Sequence, residues 1–523
     1  MIKLTGDIRR DFEKVSAEYT QLKGRILEYQ ETIKELRRSL DKARESRKTQ
    51  KTDYEQLLAE KDAIIKELTN RLEHELALKA HDGTNTGTPT SQTPIGKKKL
   101  IPNSRVVTGK KKGGQPGHKR HVLEAPADDD IDIVIAHEPG TEDCCPKCRS
   151  QNHAFTGESE AKYEIDIKVN VVKTRHEYYI YECTDCGENF RTGISPNLRA
   201  ECQYGSMTQA TALSLMNTVN APINKVRTFL SGMTGGQIEP CEGYIAKLQQ
   251  RAASALDAFM ENLRLMLITR KLVYWDETVI MINKQRACLR FYGDESIAYY
   301  TAHLHKDMQS LDADNVLALL TPETSVMHDH NKANYNEKYC FQNLECNQHL
   351  QRDLQKSADD TRHNELLELK ELISKTIHDR KCLIAAEVGT FDDTYMASFE
   401  GRLTDILNRA EKTNTEDFNP YSGQFEKNLI KRIRKYRDNY FAWVYDFSLP
   451  TTDNLSERAL RCIKSRMKIS GQFQSEKTAR YFAKIKSYIE TCRRNGINEI
   501  HALTRLCEGN AYTVKELFAH IPT

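Results

Sequence analysis

KLVYWDETVIMINKQRACLRFYGDESIAYYTA, residues 271–302, holds four short apolar or alternating runs separated by turns: Lys271 to Asp276, Val279 to Asn283, Ala287 to Tyr292 and Ile297 to Ala302. Runs of this length and period read as strands, so the stretch predicts a β meander. A helix is expected next, near Met308 to Leu320, and then a short strand from Ser325 to Met327 leading into Asp329. Asp276 thus closes one apolar run and Asp329 another.

Successive strands, a helix and a strand ending in an acid follow the order of an RNase H-like core. Adjacent strands of such a sheet bring two aspartates together, where burial and mutual repulsion favour cation binding. A third acid lies in Pro450-Thr-Thr-Asp453-Asn454-Leu-Ser-Glu457-Arg458-Ala-Leu-Arg461. Glu457, Arg461, Lys464 and Lys468 are spaced 4, 3 and 4 and share one helical face, joining a carboxylate to cations suited to phosphate. Asp453 is the second choice for this acid. Three carboxylates and a bridging phosphate balance roughly the four charges of two Mg²⁺.

Outward from this core the chain changes character several times. Its 523 residues exceed one hydrophobic core and imply several structural units. No apolar run approaches the roughly 18 residues a membrane helix requires, and MIKLTGDIRRDFEK does not read as a secretion signal. The 14 cysteines are too dispersed for a disulfide framework, which favours a reducing cytoplasm. A net charge of +3 carries no information until its distribution is considered.

Residues 1–80 are expected to form a coiled-coil arm. Ile8, Phe12, Val15, Tyr19, Leu22, Ile26, Tyr29, Ile33, Leu36, Leu40 and Ala43 keep a 4,3 spacing, which continues in phase through Tyr54, Leu57, Ile64 and Leu68. Oligomerisation is its expected use; a helix folded back on its own chain is the alternative. Residues 81–122 read as a basic flexible linker, with nine Lys or Arg and no acid between 97 and 121. Lys110, Lys111, Lys112, Gln115, His118, Lys119 and Arg120, around Gly113-Gly-Gln-Pro-Gly-His118, are its candidate DNA contacts.

Residues 123–200 read as a zinc-binding β module. Cys145-Pro-Lys-Cys148 and Cys183-Thr-Asp-Cys186 supply four thiolates for one structural Zn²⁺, with Cys144 the alternative to Cys145. Tyr163, Ile165, Ile167, Val169 and Val171 alternate with polar residues, so a strand is expected between the two pairs. Residues 201–265 read as a helical DNA-binding or connector region. Asp329 and Glu457 are 128 residues apart, which requires an insertion, assigned to helical residues 346–449. The core is then 266–345 with 450–495, and 496–523 a helical tail.

These motifs occur together in a known order. Gly113 to His118, the double Cys-x-x-Cys, Trp275-Asp276-Glu277-Thr278, Cys346-Asn-Gln-His349-Leu-Gln-Arg352 and Asp453 to Arg461 resemble bacterial transposases of the insertion-sequence-sixty-six family over residues 100–505. The resemblance implies an α/β multidomain DDE enzyme that binds transposon ends and catalyses metal-dependent cleavage and strand transfer. Its acidic triad falls on Asp276, Asp329 and Glu457, holding two catalytic Mg²⁺. It also implies partners: terminal inverted repeats, target DNA, further copies of the chain and accessory transposition proteins, at the bacterial nucleoid. Arg458, Arg461, Lys464 and Lys468 are candidate DNA contacts, and Cys346 and His349 serve a structural or active-site role. The sequence departs from the family pattern after Asp329, at His330 to Tyr335, and at Leu455. A non-catalytic zinc-containing DNA-binding protein and an RNase H-like repair or junction nuclease are the alternatives.

Overall fold

The computed structural model describes residues 8–45, 51–80, 123–138, 140, 143–152, 154–195 and 197–519. Its chain divides into two compact units, one comprising Met1–Ile101, Tyr178–Thr228 and Pro240–Thr523, the other Pro102–Glu177 with Phe229–Glu239. The candidate contacts Lys110, Lys111, Lys112, Gln115, His118, Lys119 and Arg120 lie outside the described residues. No described helix is long and apolar enough to cross a membrane.

The expected single seam is two helices, α1 (Ile8–Glu45) and α2 (Lys51–Ala80), which run back on each other. Arg25 reaches Glu75 at 3.4 Å and Arg71 lies over the Tyr29 ring at 4.9 Å, an antiparallel register. Leu22, Ile26, Tyr29, Ile33 and Leu36 are half-buried, as their spacing requires. Past Lys51 the predicted phase holds only in part: Leu68 is half-buried as expected, but Ile64 is exposed while Leu58, Ile65 and Leu72 are half-buried. A new helix restarts its own rotation, so one phase cannot span both.

Between Tyr163 and Val171 the alternating pattern forms no strand among the described residues, and Ile167 is 84% exposed. Alternation specifies a strand only where a partner and a covered face are available. The described pairing in this region is short, β1 (Tyr181–Glu182) with β2 (Asn189–Phe190).

Four helices follow: α3 (Ser206–Asn217), α4 (Ile223–Met233), α5 (Glu242–Ser254) and α6 (Asp257–Leu267). The central sheet is built from β3 (Leu272–Ile282), β4 (Gln285–Gly293), β5 (Ala298–His303), β6 (Ser325–His328) and β7 (Gln342–Glu345), in the order β5-β4-β3-β6-β7. The first three strands are antiparallel, and β3, β6 and β7 are parallel. Short helix α7 (Met308–Ala313) and a 3-10 turn (Leu317–Leu319) replace the longer helix expected there.

Two differences from expectation matter. Asp276 does not end a strand: β3 continues through Asp276-Glu277-Thr278, merging two predicted runs. It does so because Glu277 is neutralised by buried Arg290 at 3.2 Å and by Lys306 at 2.8 Å. Arg290 also pairs with Asp314 at 3.2 Å, which accepts from Tyr292 and contacts His303, so the second face of the sheet is locked by charge as well as packing. The other difference is β7, which the sequence reading passed over.

Beyond β7 the expected helical insertion comprises α8 (Asn347–Thr361), α9 (Glu365–Ala385), α10 (Asp393–Glu416), α11 (Gly423–Lys435) and α12 (Arg437–Tyr445). These helices share a separate core that includes Leu369, Phe399, Ile433 and Trp443. Of the basic segment from Lys427 to Arg437, Arg432 is tied to Asp353, Arg434 to Glu411 and Arg437 to Glu400. Those three arginines hold the insertion together, while Lys427 and Lys431 remain exposed. Asn347 donates its backbone N–H to Thr451 at 3.1 Å and its side-chain amide to Tyr440 at 2.9 Å, joining the start of the insertion to its end.

The chain then returns to the sheet as α13 (Asn454–Ile469) and α14 (Glu476–Arg494), followed by α15 (Glu499–Cys507) and α16 (Val514–Leu517). Leu455, Leu460 and Ile463 of α13 and Phe482 of α14 enter the core formed by Tyr274, Phe291, Tyr300, Met327 and Leu344. Each such buried Leu or Ile contributes about 1.5–3 kcal/mol. Leu455, a departure from the family pattern, is therefore a packing residue of the helix that carries Glu457.

Candidate active site

Parallel pairing sets the site in one row. Tyr274 of β3 pairs with Met327 of β6, and Met327 with Leu344 of β7. All three face the core under α13. Side chains alternate along a strand, so the residues two positions on point to the same face. Those residues are Asp276, Asp329 and Cys346.

Asp276 is half-buried, and its Oδ1 accepts the Glu277 N–H at 2.7 Å. Burial first, and then the Asp329 charge, push its carboxyl up to about 7, against the opposing influence of His349 and Lys464. Such a group binds a cation readily because the cation relieves both penalties. Asp329 follows β6 directly. The turn after it is fixed by Glu345, whose buried carboxylate meets His330 Nδ1 at 2.7 Å and accepts from the Tyr335 hydroxyl. His330 also packs against the Tyr436 and Tyr440 rings, so the segment that departs from the family pattern is firmly supported.

Glu457 sits half-buried on the first turn of α13, which packs on β3. Arg352 of α8 approaches its Oε1 at 3.5 Å and His349 Nε2 approaches the same oxygen at 3.8 Å. His349 Nδ1 lies 2.6 Å from Asp329 Oδ1, so this imidazole stands between two of the predicted triad members. Burial disfavours its charge, but Asp329 and Cys346 outweigh that and raise it to about 10. Arg352 Nη1 lies 3.2 Å from Nε2, a contact that only the neutral ring accepts, so charging His349 drives Arg352 toward Glu457.

Asp453, at the N-terminus of α13, is fully buried and accepts from the Ser456 hydroxyl at 2.7 Å. Its Oδ2 makes no hydrogen bond. Burial and the nearby Asp276 push its carboxyl well above the usual range. Arg458, Arg461, Lys464 and Lys468 are exposed on α13.

The structure thus brings Asp276 beside Asp329 and links Asp329 to Glu457 through His349. Among the described residues, the group whose ligand atoms all lie within 4.8 Å of one another is Asp329, Cys346 and His349, not the acidic triad. Cys346 and His349, for which the sequence implies a structural or active-site role, lie at this site together with Glu345 and Arg352, which the sequence does not single out. Arg352, one turn beyond His349 on the same helix, carried the available signal.

The two Cys-x-x-Cys segments form closely similar turns. The Cys145 N–H bonds to Ser150 and its carbonyl accepts from Arg149; the Cys183 N–H bonds to Glu188 and its carbonyl accepts from Gly187. Arg149 and Gly187 both take positive φ, 59° and 74°. Backbone N–H groups of Cys148 and Lys147 lower the Cys145 thiol, and those of Asp185 and Cys186 lower Cys183.

A family model described as "Transposase IS66 family" matches residues 201–481, more than half of the chain. No curated protein matches it.

Proposed function

We propose that this chain, which belongs to the IS66 family of transposases, cuts and joins DNA at a divalent-metal site made by Asp276, Asp329 and Glu457. The observation that carries the reading is the shared row of Asp276 and Asp329 on two parallel strands, under the helix that bears Glu457. The strand order, three antiparallel strands followed by two parallel ones, supports an RNase H-like core interrupted by a helical insertion.

The residues fit magnesium. Their donors are hard carboxylate oxygens, and Asp276 is half-buried beside a like charge that a cation relieves. Asp276, Asp329 and Glu457 would hold two Mg²⁺, which would supply activation of a water or DNA 3′-hydroxyl and stabilisation of the leaving oxygen. The protein's own groups do the rest. Glu277 is held by Arg290 and Lys306, which keeps β3 straight through Asp276. Glu345 fixes the turn after Asp329 through His330 and Tyr335. Arg352 steadies Glu457 and is close enough to the site to meet a phosphate. Arg458, Arg461, Lys464 and Lys468 on α13 offer cations to the DNA backbone on either side.

DNA binding is shared with other parts. The paired cysteine turns, with lowered thiols, suit Zn²⁺ held by Cys145, Cys148, Cys183 and Cys186. The basic segment with Lys110, Lys111, Lys112, Gln115, His118, Lys119 and Arg120 adds phosphate contacts. Phe12 and Val15, exposed on the first turns of α1, offer a second copy a surface that continues the 4,3 pattern.

The test is cleavage and strand transfer on DNA carrying the element's terminal repeats, with Mg²⁺ or Mn²⁺. Asp276→Asn and Glu457→Gln should abolish both reactions and leave end binding intact. Binding by the wild-type chain without cleavage of cognate ends defeats the proposal in favour of a non-catalytic DNA-binding role; cleavage without strand transfer favours a repair-type nuclease.

A further inference from the structure

We infer that Asp329, Cys346 and His349 form a second site, sharing Asp329 with the acidic triad, for one thiophilic divalent ion of the zinc class. A thiol, an imidazole and a carboxylate are the donors that such ions select, and that Mg²⁺ does not. Their ligand atoms already lie within 4.8 Å of one another. Cys346 is buried at the start of α8, and His349 follows one helical turn later on the same side. The row of strand ends delivers Asp329 beside Cys346.

Asp329 Oδ1 and His349 Nδ1 lie 2.6 Å apart as an ion pair with both atoms shielded from solvent, and an ion would take the place of the proton between them. Tetrahedral zinc places its ligand atoms roughly 3.3–3.8 Å apart, so the nitrogen and oxygen must part to admit it. Three donors leave a fourth position for water or a phosphate oxygen.

Binding releases the Cys346 proton and any proton on Nδ1 to solvent. The imidazole proton then resides on Nε2, 3.8 Å from Glu457 Oε1, and the carboxylate orients the ring. Arg352 must leave Nε2. Because Asp329 belongs to both sites, an ion here competes with the proposed magnesium pair; that consequence rests on the nuclease reading, while the binding itself does not.

Titration of the full-length, metal-stripped protein with Co²⁺, read by thiolate-to-cobalt absorption and by dialysis, tests the site. The cysteine turns give their own signal, so the comparison is between variants. Cys346→Ser should lose one bound equivalent relative to wild type, His349→Ala should weaken the same equivalent at least tenfold, and Asp276→Asn should retain it. Circular dichroism checks each fold; should Cys346→Ser misfold, the half-buried His349 position decides. Equal cobalt stoichiometry and affinity in wild type and in folded His349→Ala overturns the inference. A protein that binds cobalt as expected but cleaves no cognate DNA in Mg²⁺ defeats the nuclease reading and supports this site independently.

Discussion

Asp276 of β3 and Asp329, directly after β6, each lie two residues past the paired Tyr274 and Met327 of neighbouring parallel strands. The pairing keeps the two residues side by side, and the Asp329 charge helps to raise the Asp276 carboxyl. Asp276→Asn should therefore raise the melting temperature of the metal-free protein, since it removes a half-buried charge beside another. The same change should abolish metal-dependent cleavage, a loss larger than the roughly 10²-fold cost of one group that stabilises developing charge. Calorimetry in chelator and a cleavage assay read the two effects; a lower melting temperature contradicts the electrostatic account.

Lys464 projects from α13 toward solvent and its charge is felt at Asp276. Lys464→Ala should weaken DNA binding regardless of sequence and reduce the slope of log affinity against log salt by about one. Arg461→Ala should behave alike. Binding titrations between about 50 and 200 mM salt measure this, and an unchanged slope removes these residues from the DNA path.

Lys486 of α14 is buried and pairs with Glu490 at 2.7 Å. Burial opposes ionisation of Glu490, but Lys486 outweighs it and holds the carboxyl below its ordinary value. A depressed acid adds stability above its unfolded pKa of about 4.3 and loses it as pH falls through the folded value. Glu490→Gln should cost about 3–5 kcal/mol near neutrality, because it leaves a buried ammonium without its partner. The difference from wild type should shrink below about pH 4. Chemical denaturation at several pH values checks both the size and the direction.

The two cysteine turns share their hydrogen-bond pattern and a positive-φ residue after the second cysteine. Cys145→Ser or Cys183→Ser should each remove the zinc proposed for these turns, and chelator should expose both segments to protease. Metal analysis of purified protein, beside the Cys346→Ser variant, separates this ion from one near Asp329. Zinc retained in full by Cys183→Ser rules out the four-thiolate assignment.

Much of the catalytic half was legible because apolar runs between turns report strands directly. Asp276 misled the boundary: Asp-Glu-Thr looks like a strand end, and nothing local reveals that Arg290 neutralises Glu277 from the next strand. β7 was missed because Gln342-Asn-Leu-Glu345 is short and polar, and becomes a strand by pairing with β6. The arginines near position 432 form a basic run in the sequence, but ion pairs with partners as far away as Asp353 consume them. The α1 seam was readable from its spacing, whereas its partner was not, since period alone does not distinguish a second chain from the same chain turning back. The place of His349 between Asp329 and Glu457 depends on three separate elements meeting, which no short window of sequence contains.

The amide stitch from Asn347 to Thr451 and Tyr440 has an evolutionary reading. The hundred-odd residues between leave and re-enter the sheet through a single doorway that is held shut at its threshold. Such a cassette is free to lengthen, shrink or be exchanged among descendants while the reaction chamber keeps its dimensions. Yet its first helix also carries His349 and Arg352, so whatever grips the cassette from outside has a lever that ends among the carboxylates.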